Sequence, residues 1–437
     1  MKRLFITLRN IFSVEELRER ILNTLFFIMI FRLGSYIVLP GVDPNRLSEK
    51  AEGIFGLLDT LLGGAFSNAS ILALGIMPYI SASIVFQLLT VAVPYFQRIQ
   101  REGESGRARI TQYTRLLAVA VAFVQAVAYT TSTIPSEAIM VENTTLFTFS
   151  TAIILSSGTV FCMWLGERIT EKGIGNGISM LIMIGIISRF PGGLTAEFLS
   201  RGMGQALFFL IEMVLLFFVV MFVVMLTQGV RRVPVQYVKQ VMGSRTYGGQ
   251  RQYLPLRVNS AGVMPIIFAQ SLMFLPAMIS GVWAEESDLA QYVGTTFSDI
   301  TSWQYNLAYG LLIVIFTFFY TAVTVNPQQM AEDMKRNGSF IPGVRPGTET
   351  ANYMDNILTR IMFPGALFLA CVAVLPAFAI MLGVSQEFAQ FYGGTSLLIM
   401  VGVVLDTLQQ IESHLLVRRY DGLMESGRVA GRQPLPT

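Results

Sequence analysis

The chain reads LLDTLLGGAFSNASILALGIMPYISASIVFQLLTVAV from Leu57 to Val93. The part from Ile71 onward is apolar enough to cross a bilayer, whereas Leu57–Asn68 is too short and too polar to span ~30 Å of hydrocarbon. We expect this earlier part to be a broken half-helix, because two adjacent glycines and two polar residues interrupt it. Its backbone N–H and C=O groups need partners, so it must lie on the outer surface or in a cavity lined by protein and water. A half-helix that leads into a full span is typical of a conduction pathway.

Composition places the chain in a membrane. Hydrophobic residues make up 53% of its 437 residues and charged residues only 14%, whereas soluble domains carry about a quarter charged residues. The net charge of +3 argues against a general nucleic-acid binder. We therefore predict an all-α membrane protein, and a window of ~19 residues gives ten transmembrane helices. They cover residues 22–40, 71–93, 116–134, 147–165, 174–190, 206–227, 260–281, 305–325, 361–383 and 395–413.

Lysine and arginine set the predicted orientation. Of the 31 basic residues, 26 fall in the N-terminus, the tail and the loops that follow even-numbered spans. The positive-inside rule makes these segments cytoplasmic, so both termini are inside and the Leu57–Asn68 segment enters from the outer face. Before the first span, residues 5–21 have an amphipathic pattern, and Ser13 with Glu16 fits a capping box. This pattern predicts a separate helix on the cytoplasmic surface.

Two cytoplasmic loops are unusually long. Gln228–Val258 carries six basic residues, and Asn326–Asp355 contains PGVRPG at Pro342–Gly347, which frames Arg345 in a rigid turn. Loops of this length in a compact protein are usually functional or disordered. We favour a docking role over the alternative that the charges only satisfy the positive-inside rule.

Three ionisable residues fall within spans, namely Arg32, Glu212 and Asp406. Such residues are functional candidates by default. Arg32 lies toward the outer end, where its side chain can reach the interface, and the two acids have no obvious relay partner. An ion-coupled small-solute transporter, with Glu212 and Asp406 as its coupling sites, stays open as the alternative function.

Catalytic signatures are absent from the sequence. A single histidine excludes most Ser-His chemistry, and no metal-binding motif or phosphate-binding loop occurs. The sequence therefore indicates neither an enzyme nor a cofactor nor a metal site, and any energy source must be a partner or an ion gradient.

Six stretches, in their shared order, resemble the bacterial SecY family, whose members form the main subunit of the protein-conducting channel. They are ASILALGIMPYISASI at 69–84, EGESGR at 102–107, GIGNGIS at 173–179, YGGQRQYLPLRVNSAGVMP at 247–265, FIPGVRPG at 340–347 and FYGGTSLLI at 391–399. The resemblance covers nearly the whole chain. It implies two pseudo-symmetric inverted halves, spans 1–5 and 6–10, around a central hourglass pore with a plug half-helix.

The chain then divides into five parts. These are a cytoplasmic amphipathic helix (1–21), a first half (22–190) with the plug (59–68), an external linker (191–205), a second half (206–413) with docking loops (228–258 and 326–355), and a cytoplasmic tail (414–437).

In the family, six apolar residues form a constriction ring. The matching positions here are all isoleucine, namely Ile76, Ile80, Ile178, Ile182, Ile267 and Ile399. Isoleucine is stiff at χ1 and offers no hydrogen bond, so such a ring can exclude ions yet yield to a passing chain. Without the resemblance, isoleucines spaced four apart on a helix would predict only packing or lipid contact.

The resemblance also assigns a plug, a lateral gate and a docking surface. The plug residues are Asp59, Leu61, Leu62, Gly63, Gly64, Phe66 and Asn68, where the glycines would let the segment pivot. The gate between spans 2–3 and 7–8 includes Ser81, Gln125, Ser271 and Leu275. The docking residues are Arg231, Arg232, Lys239, Arg245, Arg251 and Arg345.

The implied function is to move unfolded secretory polypeptides across, and apolar segments sideways into, the bacterial plasma membrane. The implied partners are the small membrane subunits SecE and SecG, the SecA motor ATPase, a translating ribosome, signal sequences, secretory polypeptides and membrane lipids, with no specific nucleic-acid sequence. Many bacterial relatives carry basic pairs near the tip of the 6/7 loop. Here Gln240 follows Lys239 and Ser244 precedes Arg245, which weakens the expected docking.

Overall fold

The computed structural model describes residues 14–47, 59, 62–201, 206–237, 240–242, 245–247, 251–283, 292, 296–297 and 299–425. Helices dominate this part of the chain and form two groups. The first group comprises α1 (Glu15–Gly34), α2 (Met77–Ala92), α3 (Pro94–Arg101), α4 (Glu104–Ser132), α5 (Thr144–Lys172) and α6 (Gly177–Arg201). The second comprises α7 (Ala206–Thr227), α8 (Met264–Trp283), α9 (Trp303–Thr324), α10 (Pro327–Arg336), α11 (Thr348–Met381), α12 (Gln386–Ala389) and α13 (Gly394–Glu425).

Local chemistry fixes several helix ends. The Asn143 side chain accepts a hydrogen bond from the Leu146 N–H at 3.3 Å and caps α5, as Asn does at many helix N-termini. Pro94 opens α3 and has no N–H to continue α2. The chain therefore bends by 102° between α2 and α3.

Each of the ten predicted spans falls on a helix. Seven helical stretches in the described residues are long and apolar enough to cross a membrane, and they lie in α4, α5, α6, α7, α9, α11 and α13. The bent pair α2–α3 makes an eighth candidate, and α1 and α8 occupy the two remaining windows. Large apolar side chains such as Leu207, Phe217 and Met225 lie exposed on α7, as expected of a surface that contacts lipid. The chain is a multi-pass membrane protein.

Several predicted boundaries are wrong. The helix of the first span, predicted over residues 22–40, ends at Gly34, and α6 continues to Arg201 through most of the predicted linker 191–205. The window 71–93 is helical only from Met77, because residues 71–76 form consecutive turns. The predicted capping box falls on Ser13, which lies outside the described residues, and α1 begins at Glu15 with Val14 as its N-cap. Residues 15–21 therefore continue directly into the first span, and residues 1–13 lie outside the described part.

The two long basic loops, 228–258 and 326–355, share a small sheet that the sequence did not predict. Its order is β4–β1–β5, with β1 (Val230–Tyr237) antiparallel to both β4 (Arg251–Arg257) and β5 (Ser339–Phe340). A separate hairpin joins β2 (Gln240–Met242) to β3 (Arg245–Tyr247). A small apolar core supports the sheet and consists of Val233, Leu256, Ile341, Met354 and Leu358. The two loops therefore form one structural unit.

The two helix groups meet along two seams. On one side α6 packs against α7, α12 and α13, and on the other α2 contacts α8. Buried apolar clusters span both seams, one around Ile186, Phe388 and Ile399 and another around Ile76 and Ile80. The space between the seams is where the predicted ring residues lie.

Candidate functional site

Five of the six predicted ring isoleucines line one small cavity between the two helix groups. Its volume is about 20 Å³, and its walls are entirely apolar. The lining residues are Phe31, Leu62, Ile76, Met77, Ile80, Leu181, Ile182, Ile267 and Ile399. They come from α1, the segment before α2, and from α2, α6, α8 and α13. A space of this size holds about one water molecule, and its walls offer that water no hydrogen bond.

Ile178, the sixth predicted ring residue, does not line this cavity. It lies one helical turn from Ile182 and belongs to the same apolar cluster as Ile182 and Ile267. A Cβ at Gly166 of α5 would lie 3.0 Å from Ile178 Cγ1. Ile178 therefore packs closely against α5 at the edge of the ring.

Within the predicted plug, Asp59 is helical, residues 60–61 lie outside the described part, and the chain from residue 62 onward forms tight turns. Residues 62–69 are turns, closed by hydrogen bonds from the Gly64 N–H to the Asp59 C=O at 2.9 Å and from the Asn68 N–H to the Gly64 C=O at 3.1 Å. Leu62 inserts its side chain into the isoleucine cavity, while Asn68 is exposed. Leu61 lies outside the described residues. Short turns replace a helix because consecutive glycines interrupt the segment.

Gly63 and Gly64 permit this path for a steric reason. Their φ angles are +65° and +90°, a region that glycine enters without penalty. A Cβ at Gly63 would lie 2.8 Å from the Gly185 Cα, and one at Gly64 would lie 2.9 Å from Arg189 Nη2. The glycines therefore let the plug backbone approach α6 closely.

Side chains from three helices hold the plug in place. Arg32 of α1 donates from Nη1 to the Gly63 C=O at 2.7 Å, and the Tyr129 hydroxyl of α4 donates to the Phe66 C=O at 2.6 Å. Arg189 of α6 donates to Asp59 and to Ser67. The expectation that Arg32 only reaches toward the interface is wrong, because its guanidinium satisfies a plug carbonyl.

The sequence reasoning missed Arg189 and Tyr129. Arg189 belongs to the five basic residues that the positive-inside count leaves outside the cytoplasmic segments. Two of those five, Arg32 and Arg189, contact the plug. Their position near the outer ends of spans, opposite the acidic Asp59, was the signal that could have found them.

The predicted gate residues lie on neighbouring helices. The Ser81 hydroxyl on α2 donates to the Met77 C=O at 3.2 Å, and the Ser271 hydroxyl on α8 donates to the Ile267 C=O at 2.9 Å. Gln125 is half-buried on α4, and the backbone of Leu275 lies in α8, while its side chain is outside the description. Helix α2 contacts both α4 and α8. The four gate residues are uncharged, so none of them forms an ion pair across the seam between α2 and α8.

Several of the predicted docking residues lie on or beside the β4–β1–β5 sheet. Arg231 and Arg232 are exposed on β1, and Arg345 is exposed in the turn between β5 and α11. The Thr350 hydroxyl donates to the Arg345 C=O at 2.8 Å and braces that turn. Arg245 and Arg251 lie in β3 and β4 by backbone alone, and Lys239 is outside the described residues. Pairing of β1 with β5 thus joins the two basic loops.

The two acids of the transporter alternative are differently placed. Arg201 donates from Nη2 to Glu212 and from Nε to Glu197 at 2.9 Å, so Glu212 belongs to an ion-pair cluster at the ends of α6 and α7. Asp406 is exposed on α13. Glu212 is therefore engaged structurally, which argues against a free coupling carboxylate.

Comparisons with known proteins agree on one family. The family model SecY matches residues 70–408. The protein translocase subunit SecY of Halalkalibacterium halodurans is 43% identical over 97% of this chain and 100% of its own length. The subunit of the same name from Chlamydia muridarum is 39% identical over 98% of this chain and 100% of its own length.

Solved structures of protein-conducting channels share the fold. "The structure of a protein conducting channel" matches with a TM-score of 0.65 at 17% identity and covers 91% of this chain and 92% of that one. "Sec61 in the Canine ribosome-channel complex from the endoplasmic reticulum" matches with a TM-score of 0.61 at 17% identity and the same coverage. At such identities the likeness shows the fold alone.

Proposed function

The chain belongs to the SecY family, and from that premise we propose that it is the protein-conducting channel of a bacterial translocase. It moves unfolded secretory polypeptides across the plasma membrane and releases apolar segments sideways into lipid. It acts as a channel subunit and not as an enzyme. No comparison supports the small-solute transporter.

One observation carries the proposal at the level of residues. Isoleucines from α2, α6, α8 and α13, together with the residue before α2, surround one apolar cavity that the plug residue Leu62 enters. Hydrated ions find no polar partner there, and an apolar constriction of this width excludes water. The arrangement supports a closed state in which the ring and the plug together form the seal.

A polypeptide can open this seal because apolar side chains have no directional bonds to break. Separating the ring residues exposes apolar surface, which costs roughly 25 cal/mol of free energy per Å². A threading chain offsets this cost by filling the same space. The plug must leave first, since Leu62 forms part of the cavity wall. We infer that sideways release occurs at the seam between α2 and α8, near Ser81 and Ser271.

The driving force comes from partners, because the sequence carries no phosphate-binding loop. The shared sheet of β1, β4 and β5, with Arg231, Arg232 and Arg345 exposed around it, is suited to an acidic partner surface. We propose that SecA or a translating ribosome docks there, and that SecE and SecG complete the complex. We propose that the chain lies in the bacterial inner membrane, and the positive-inside rule supports an orientation with both termini in the cytoplasm.

The function is tested by photo-crosslinking of a stalled secretory polypeptide. The complex is reconstituted in vesicles with its small subunits and motor, and a photoreactive amino acid replaces either Ile399 or Leu207. Ile399 lines the cavity, whereas Leu207 is 70% exposed on the outer face of α7. The proposal expects crosslinks from position 399 and none from position 207. Equal labelling at both positions, or labelling at neither, contradicts a central polypeptide route.

A further inference from the structure

A charged cluster holds the plug against α6. Arg189 donates from Nη2 to the Asp59 carboxylate and, at 3.0 Å, to the Ser67 hydroxyl. Ser67 donates its backbone N–H to Asp59 Oδ1 at 2.8 Å and its hydroxyl to Asp59 Oδ2 at 3.1 Å. One carboxylate thus joins two points of the plug to one helix of the channel wall.

Within this cluster, the Asp59 carboxylate is shielded from solvent. The Asp59 side chain is 9% exposed, whereas that of Arg189 is 38% exposed. A carboxylate at this depth is costly unless it is paired and hydrogen-bonded, and removal of one partner leaves the other uncompensated. The pair therefore favours the seated plug, although the partly exposed guanidinium limits its strength.

A second contact acts on the same segment from another helix. Arg32 of α1 donates to the Gly63 C=O at 2.7 Å, and its guanidinium also lies over the Tyr36 ring, 5.0 Å from the centroid. Arginines on two different helices, α1 and α6, therefore both form hydrogen bonds to the plug. Both sets of bonds are specific to the seated position, because each joins the plug to a fixed helix.

We propose that Asp59 and Arg189 form an electrostatic latch, supported by Ser67, that sets the free energy of plug opening. The latch rests on the proposed channel function and deepens it. A signal sequence that favours the open state must supply the free energy lost when the latch breaks. The latch therefore determines how strong a signal sequence must be before the channel opens.

The test measures coupling between the two charges in the reconstituted complex. Asp59→Asn and Arg189→Gln are each expected to raise the resting ion leak, and the export of a precursor with a defective signal sequence, by roughly tenfold, which corresponds to about 1.4 kcal/mol. The double variant is expected to leak no more than either single variant, because the same interaction is lost only once. Arg46→Gln, which removes an exposed ion pair with Asp43, is the matched control and leaves both readouts unchanged.

A third variant distinguishes loss of the latch from misfolding. Ser67→Ala removes the hydroxyl's hydrogen bond to Asp59 and the one it accepts from Arg189, keeps the backbone N–H bond to Asp59, and leaves no unpaired charge. A smaller rise in leak is expected at an unchanged thermal midpoint. Additive effects in the double variant, or single variants that seal as tightly as the parent, overturn the latch. If the parent complex passes a secretory polypeptide while these variants stay tight, only the latch fails. A parent complex that passes no polypeptide refutes the channel function itself.

Discussion

Ile399 shows what a single residue's sequence context can and cannot reveal. Its neighbours on α13 are equally apolar, so periodicity alone gives it no special status. The structure leaves it 2% exposed and places it in one cavity with Ile76 and Ile267. Residues so distant in sequence meet only through the packing of several helices, which no local pattern encodes. The family resemblance supplied the positions, and the geometry supplies the physical reason for them.

A polar group at this position should open the seal to ions. We predict that Ile399→Asn raises the resting ion leak roughly tenfold and relaxes signal-sequence stringency, because a buried amide costs about 1–3 kcal/mol unless water enters to bond it. The measurement is single-channel conductance of the reconstituted complex together with export of a signal-defective precursor. Val404→Asn, on an exposed part of the same helix, is the control. Equal leaks from both variants would remove Ile399 from the barrier.

Arg345 tests docking at the residue scale. Its side chain is exposed beside the shared sheet, so reversing its charge should weaken an acidic partner's approach while the helices stay intact. We predict that Arg345→Glu slows motor-driven export several-fold, since charge reversal at an interface costs on the order of 1–3 kcal/mol. Arg336→Glu, an exposed reversal at the end of α10, is the comparison, with membrane insertion of both checked by protease protection. Normal export with Arg345→Glu would place docking elsewhere.

At the scale of elements, the membrane helices were predictable and the strands of the two long loops were not. Long apolar runs give helices in a bilayer because only intrahelical bonds satisfy the backbone there. The strands were hidden because charges and prolines interrupt them, with Pro234 opposite Tyr253 and Pro255 opposite Arg232. Only the short alternation that buries Val233 and Val235 indicates a strand. The plug turns were also missed, since the positive φ angles at Gly63 and Gly64 depend on contacts with α6.

A buried polar network ties α8 to its neighbours. The Thr395 hydroxyl donates to Gln270 Oε1 at 2.6 Å, and the hydroxyls of Thr395 and Tyr309 lie 3.1 Å apart. These residues belong to α13, α8 and α9. The network therefore fixes the helix that carries Ile267 and borders the seam with α2.

Breaking this network should loosen α8. We predict that Gln270→Leu destabilises the complex by about 1–3 kcal/mol, because Thr395 loses its acceptor in a buried site, and that it also eases opening of the α2–α8 seam. The thermal midpoint and the rate of crosslinking between cysteines placed on the two helices provide the readouts. Gln329→Leu on the exposed surface of α10 should change neither. A Gln270→Leu complex as stable and as slowly crosslinked as that control would show that the network does not restrain α8.

At the scale of the whole molecule, the two seams between the helix groups differ in chemistry. Where α6 ends and α7 begins, Arg201 binds Glu197, Glu212 and the Gly383 C=O, and Glu197 accepts from the Ser385 N–H at 2.8 Å. The described cluster that bridges α2 and α8, with Ile80 and the half-buried Ile267, is apolar. Ionic bonds at one side and apolar contacts at the other favour a hinge at α6–α7 and opening at α2–α8.

Sequence reasoning could not predict this asymmetry. Residues 191–204 contain no recognisable motif, and Glu212 taken alone resembled an ion-coupling site. The role of Glu212 depends on its contact with Arg201. Arg201 reaches Glu212 because α6 continues through Pro191 to its end at Arg201. The positions of the apolar helices follow from hydropathy, whereas the partners of buried charges follow only from the folded arrangement.

The most direct test of the central claim is the resting ion conductance of the reconstituted complex before and after deletion of residues 59–68. The account predicts a tight parent channel, and a deletion variant that leaks ions at least ~10-fold more yet still translocates a secretory polypeptide, because the ring remains and only the plug and its bonds are lost. A deletion variant that stays as tight to ions as the parent, or that leaks but passes no polypeptide, would contradict a seal formed by the plug and the isoleucine ring.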